Sequence, residues 1–230
     1  MKNINIMRLN LLMISMLISF SVSAQFVTPL STISGPAEVT TLDGEVISGK
    51  VKSASFGPNG MMSFTLLDEE GNKTKYKVAD VQQLKLKVDG LAKLEITADQ
   101  SSNIEKLANS NFKEVVEREF IYWQRVKQVG KDKYLLLQLL NPGFDNKLKV
   151  YDLPNAKSGE TSIGGISVSG NQATAFLVVK NGESLKITKK KYKKQDFNLL
   201  FSDCPKIIEN NDPDFKEFAT HVYFYDQLCE

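Results

Sequence analysis

The strongest constraint on the fold of this chain is Ala173–Lys180, Asn181-Gly182, Glu183–Thr188. Two apolar runs separated by Asn-Gly specify an antiparallel hairpin. Both central positions of a type I′ turn need positive φ, which Asn and Gly accept at low cost. A two-residue turn pairs Lys180 with Glu183, Val178 with Leu185 and Phe176 with Ile187. Phe176, Val178, Leu185 and Ile187 then share one apolar face, with an ion pair at the turn end.

Similar signals fill residues 37–98. Asp43-Gly44 joins Val39–Leu42 to Glu45–Ser48, and Gly57-Pro58-Asn59-Gly60 is a loop. Met62, Phe64 and Leu66 alternate with polar neighbours, as does Tyr76 with Val78 beyond the turn Glu69-Glu70-Gly71-Asn72. Val81–Gln83 reads as a tight turn before Leu84, Leu86 and Val88. About five short strands in sequence suggest a small SH3-like or Sm-like β-barrel, which removes strand edges by curling. Residues 99–118 form a helical connector, where the domain boundary is expected.

Residues 119–230 form a second, α+β domain, with strands over 119–188 and helices over 190–230. Phe120–Val129 is aromatic-rich. Phe120 and Tyr122 lie on one side, Ile121, Trp123 and Arg125 on the other. Tyr134–Leu140 is almost continuously apolar, as in a strand covered on both faces. Pro154–Gln172, rich in Gly, Ser and Thr, reads as a long flexible loop with a short edge strand near 163–168. Phe197, Leu200 and Phe201 have helical spacing, which Asp203-Cys204-Pro205 interrupts. Asp212 caps the last helix, Pro213 opens it, and Phe215, Phe218, Ala219, Val222 and Cys229 mark its buried stripe. The expected fold class is therefore α+β, mostly β: a small barrel followed by an antiparallel-sheet domain with C-terminal helices.

The first 24 residues have the zones of a secretory signal peptide. Lys2 and Arg8 precede an apolar stretch from Leu11 to Phe20, and Val22-Ser23-Ala24 is a small-residue cleavage site. Cleavage after Ala24 leaves a short polar lead, residues 25–36, without strong periodicity and partly mobile. The apolar stretch is shorter than a membrane span, and no later one approaches that length, so the processed chain is expected to be secreted or periplasmic and not integral to the membrane. The 29 basic residues less Lys2 and Arg8 leave 27, matching the 27 acidic ones. A neutral processed chain lacks the global field that attracts nucleic acid. Cys204 and Cys229, the two cysteines, form one disulfide in an oxidising compartment.

Familiar catalytic patterns are missing. His221 is the single histidine and sits mid-helix beside the apolar stripe. There is no G-x-S-x-G elbow and no phosphate-cradling glycine motif. Zinc on Cys204, His221 and Cys229 would lack the usual ligand spacing, so no metal and no cofactor is expected. Carboxylate pairs drawn from Asp68, Glu69 and Glu70, or from Glu114 and Glu117, keep a secreted glycan hydrolase as the alternative function. The most suggestive feature is Lys186, Lys189, Lys190, Lys191, Lys193 and Lys194, interleaved with Tyr192 and Phe197. Such a run can grip an anionic polymer or an acidic protein face, and it is also what a solvated connection looks like. Lys189, Lys190, Lys191, Lys193 and Lys194, with Tyr122 and Trp123, are the candidate ligand-binding residues for an envelope protein or glycan partner.

Several pieces together resemble uncharacterised exported β-rich proteins of the Bacteroidota type. They are Asp43-Gly44 through Gly49-Lys50-Val51, the Phe120–Val129 strand, the hairpin around Asn181-Gly182, and the ending from Asp203-Cys204-Pro205 to Tyr225-Asp226-Gln227-Leu228-Cys229. The resemblance implies this layout and the cysteine pair, and it transfers no active site. The expected function is that of an exported, non-catalytic binding or assembly protein of the bacterial envelope.

Overall fold

The computed structural model describes residues 24–31, 33–101, 107, 111–158, 162–163, 166–167 and 172–229. The expected n-region and apolar stretch of the signal peptide lie outside these residues.

Strands β1 (Gly35–Thr41), β2 (Val46–Gly57), β3 (Gly60–Leu67), β5 (Val81–Lys87), β6 (Phe120–Lys127) and β7 (Tyr134–Gln138) close into a six-stranded antiparallel barrel. The order is β2-β1-β5-β6-β7-β3. Met61 opposite Leu136 joins β7 to β3, and β2 pairs with β3 to complete the ring. Strand β4 (Lys73–Lys77) lies along the remaining edge of β3. The barrel thus takes two strands from beyond the 99–118 connector. Leu84 pairs with Trp123 and Leu86 with Ile121, so inward residues of β5 and β6 meet in the core with Val39, Val51, Phe64 and Leu66. The turn expected at Val81–Gln83 falls three residues earlier, at Val78–Asp80. Lys77 donates its backbone N–H to the Asp80 carboxylate and β5 begins at Val81.

Helix α1 (Gly90–Ser101) follows β5, capped by Asp89, whose carboxylate accepts the N–H groups of Leu91 and Ala92 at 3.1 and 3.0 Å. Helix α2 (Phe112–Val116) precedes β6.

The amino-terminal lead is not a mobile surface segment. Val27, Leu30 and Ile33 are buried in the barrel core, and Phe26 packs on Phe144, Phe176 and Phe218 of the second core. Side chains far along the chain satisfy its backbone. Gln138 accepts from Leu30 N and donates to the Thr28 carbonyl, and the Asn111 carboxamide both accepts from and donates to the Gln25 main chain. This explains how an extended stretch can be buried without belonging to a sheet.

A second sheet has the order β14-β13-β8, from β8 (Leu148–Asp152), β13 (Ala175–Lys180) and β14 (Glu183–Thr188). The β13–β14 register is the one the turn predicts, with Asn181 and Gly182 at φ +52° and +80°. The expected Lys180–Glu183 ion pair is corrected. Lys180 folds the other way, to Asp203 at 2.7 Å and the Leu200 carbonyl at 2.6 Å. Burial opposes its charge, but the hydrogen bonds to Asp203 and Tyr225 outweigh it and raise the Lys180 pKa. Asn141, fully buried, follows the Leu139–Tyr151 bridge beyond the end of β7. Its carboxamide donates to the carbonyls of Phe144 and Leu148 and accepts from Val150 N.

Four two-residue strands fall in the Gly/Ser segment: β9 (Lys157–Ser158), β10 (Ser162–Ile163), β11 (Ile166–Ser167) and β12 (Gln172–Ala173). β9 pairs with β12 and β10 with β11. Pro154–Ala156 form a turn before β9, with Ala156 N donating to the Leu153 carbonyl at 2.8 Å. Residues 159–161, 164–165 and 168–171 of that expected loop lie outside the described residues.

After β14 come α3 (Lys189–Lys191), a π-helical turn (Tyr192–Asp196), α4 (Phe197–Phe201), α5 (Pro205–Asn210), a 3-10 turn (Phe215–Glu217) and α6 (Phe218–Leu228). The last helical segment starts two residues later than expected. Asp214, not Asp212, is the cap, accepting from Lys216 N. A disulfide joins Cys204, at the start of α5, to Cys229, at the end of α6. Among the described residues no helix is long and apolar enough to cross a membrane.

Candidate binding surface

The lysine run is built on a buried peg. Thr188 ends β14, accepts from Lys191 N through its hydroxyl, and gives its own N–H to the Asp196 carboxylate at 2.9 Å. These two bonds wind residues 189–196 tightly. Tyr192 and Asp196 turn inward, 0% and 3% exposed, while Lys189, Lys190, Lys191, Lys193 and Lys194 all face solvent. Lys186, one strand position pair before Thr188, is exposed too. Among the described residues none of these six forms an ion pair with a carboxylate.

The peg itself sits in an aromatic cage. The Tyr192 ring meets Phe197, Phe215 and Phe218 at 5.4–5.8 Å, and its hydroxyl shares a 2.8 Å hydrogen bond with His221 Nδ1. Burial lowers the His221 pKa to about 4, slightly countered by Asp214, so the imidazole is neutral near pH 7. Burial also drives the Tyr192 phenol upward. The histidine is therefore a packing residue that holds the lysine-bearing turn. Both candidate zinc thiols are in the disulfide.

Tyr122 and Trp123 do not join this surface. Trp123 is 2% exposed and points into the barrel core, so its side chain does not offer the ligand-binding surface expected of it. Tyr122 faces the other way and is partly buried on a second apolar cluster that includes Leu137, Leu139, Tyr151 and Leu177, where barrel and second sheet meet.

A groove of about 500 Å³ crosses the outer barrel face. Register aligns Ser48, Glu38, Lys85 and Tyr122 in one row across β2, β1, β5 and β6. Lys85 Nζ lies 3.0 Å from Glu38 and 4.3 Å above the Phe120 ring. Glu38, Lys85 and Phe120 were not singled out by the sequence, because only cross-strand register brings them together. Asp68 and Glu69 reach the groove from the β3–β4 turn. The Asn72 backbone N–H holds the Asp68 carboxyl below the ordinary carboxylate range. Glu114 is paired with Arg118 at 2.7 Å and Glu117 with Lys113 at 3.9 Å.

Comparison with protein-family models, with curated proteins and with solved structures gave no match to this chain.

Proposed function

We propose that this is an exported, non-catalytic binding or assembly protein of the bacterial envelope. It grips an anionic partner, an acidic protein face or a charged glycan, through Lys186 and Lys189–Lys194. One observation carries the reading: six lysines stand exposed without carboxylate partners among the described residues, Lys186 near the end of β14 and five on the following turn, which a fully buried tyrosine anchors. Cations fixed on a rigid base lose less freedom on binding than those on a loose tail. The amino-terminal leader pattern and the cystine both support export, in keeping with the resemblance to exported β-rich proteins of the Bacteroidota type. Of the carboxylates a glycan hydrolase would draw on, Glu114 and Glu117 are held by Arg118 and Lys113 within one helical turn, which weighs against that reading.

Dextran sulfate titrated against the purified protein tests the basic face. The expected result is binding that weakens steeply with salt and falls about tenfold or more when Lys189, Lys190, Lys191, Lys193 and Lys194 become Ala. Equal affinity of the two proteins would overturn the assignment. Amino-terminal sequencing of natively exported material should begin at Gln25; recovery from the cell interior starting at Met1 would remove the export half of the proposal.

A further inference from the structure

We propose that the free edge of β4 docks an extended acidic segment of a partner protein, which joins the barrel as an additional antiparallel strand.

Barrel closure leaves β4 with a strand on one side only, β3. In their connecting turn Asp68 N donates to the Asn72 carbonyl at 3.1 Å and Gly71 N to the Asp68 carbonyl at 3.2 Å. Asp68 and Asn72 are thus a hydrogen-bonded pair, and such pairs alternate along an antiparallel ladder. Thr74 and Tyr76 therefore bond to β3, while the backbone groups of Lys73, Lys75 and Lys77 point outward. At Lys77 they are already taken, the N–H by the Asp80 carboxylate at 2.7 Å and the carbonyl by Asp80 N at 3.0 Å. Lys73 and Lys75 hold the open donors and acceptors.

The same residues carry the charge. Tyr76 is buried and stacks on Phe64, so alternation puts the Lys73, Lys75 and Lys77 side chains on the outer face, all exposed. Among the described residues none of the three is paired with a carboxylate. They recur at about 7 Å, the two-residue repeat of a strand. An added strand with Asp or Glu at alternate positions places one carboxylate opposite each lysine and its amides opposite Lys73 and Lys75.

A second copy of this chain does not fit, because β4 against β4 sets lysine against lysine. Edge lysines also discourage neutral strands. The edge is closed to most chains and complementary to an acidic one.

The test uses the full purified protein and a fluorescein-labelled peptide, Glu-Thr-Glu-Val-Glu-Thr, with a version N-methylated on its glutamates that keeps the charge and loses the backbone donors. Anisotropy should show saturable binding, weakened about tenfold by N-methylation and about tenfold by the triple Lys73→Gln, Lys75→Gln, Lys77→Gln variant. Peptide binding should slow amide exchange at Lys73 and Lys75, and the Lys189–Lys194 alanine variant should bind the peptide as the wild type does. Absence of binding, equal binding of the N-methylated peptide, or protection at Ser184 and Lys186 of β14 instead would each overturn the proposal. The N-methylated arm needs no mutant, so misfolding of the triple variant cannot mask the answer.

Discussion

Acidification should loosen this protein through one residue, His221. In the fold its imidazole is 2% exposed, ringed by Tyr192, Phe197 and Phe201, with its pKa at about 4 against an ordinary 6.5. The Asp214 carboxylate, the facing charge, only partly offsets burial. Between these two values the unfolded chain holds a proton that the folded chain does not, so stability falls as pH drops below about 6.5 and stops falling from this source below about 4. The whole interval corresponds to about 3 kcal/mol, of which about 2 kcal/mol is lost between pH 7 and pH 5. Asp203 behaves oppositely in origin. Its depressed pKa contributes stability that is present above the unfolded carboxyl value near 4 and disappears below it, so the window from pH 7 to pH 5 isolates the histidine. Urea unfolding followed by far-UV circular dichroism at the two pH values measures the loss. His221→Gln retains an acceptor for the Tyr192 hydroxyl and should reduce the pH-dependent loss to below about 0.5 kcal/mol. Parallel pH dependence in wild type and variant would refute the buried-neutral-histidine account.

Three further outcomes follow from packing and covalent structure. Replacing Cys204 and Cys229 by Ala opens a loop with a sequence separation of 25, and should lower unfolding free energy by about 3.5 kcal/mol in denaturant titration; a change under about 1 kcal/mol would contradict that. Gly60 has φ +115°, and a Cβ there would lie 2.6 Å from Leu137 Cδ2 and 2.9 Å from the Leu136 carbonyl. Gly60→Ala should therefore cost about 3 kcal/mol, while Gly44→Ala, at φ +89° in open space, costs about 1 kcal/mol; equal thermal shifts would show that barrel closure at β3–β7 is looser than the contact implies. Gln138→Ala leaves Leu30 N and the Thr28 carbonyl without their buried partner, and should cost about 2–4 kcal/mol and speed proteolysis within residues 26–33; unchanged cleavage would mean the lead is held by its apolar side chains alone.

These outcomes separate what the sequence carries locally from what only the folded chain displays. The β13–β14 register was readable because Asn181-Gly182 admits one turn geometry, and every later pair follows from it. The barrel was readable in kind and not in membership. β1 to β5 are joined by short turns, whereas β6 reaches β5 across α1 and α2. Nothing near Trp123 announces Leu84 as its neighbour. The alternation in β6 did place Ile121 and Trp123 on one side, and Ile121 marks that side as the apolar one. Tyr122 and Trp123 could never have shared a binding face. The lead escaped for a different reason: its buried backbone is satisfied by Gln138 and Asn111, more than eighty residues away, and no local period encodes such partners. The lysine surface was visible because its charges are consecutive, but its rigidity was not, since Tyr192 acquires its cage from α4, α6 and the 3-10 turn. Lys180 shows the limit of pairwise reading. Glu183 is its register partner, yet a partly buried ammonium gains more from Asp203, the Leu200 carbonyl and the Tyr225 ring together than from one exposed carboxylate across a turn. Lys180 is thus held on several sides by the fold, whereas the lysines of 186–194 and of β4 have no carboxylate partner among the described residues.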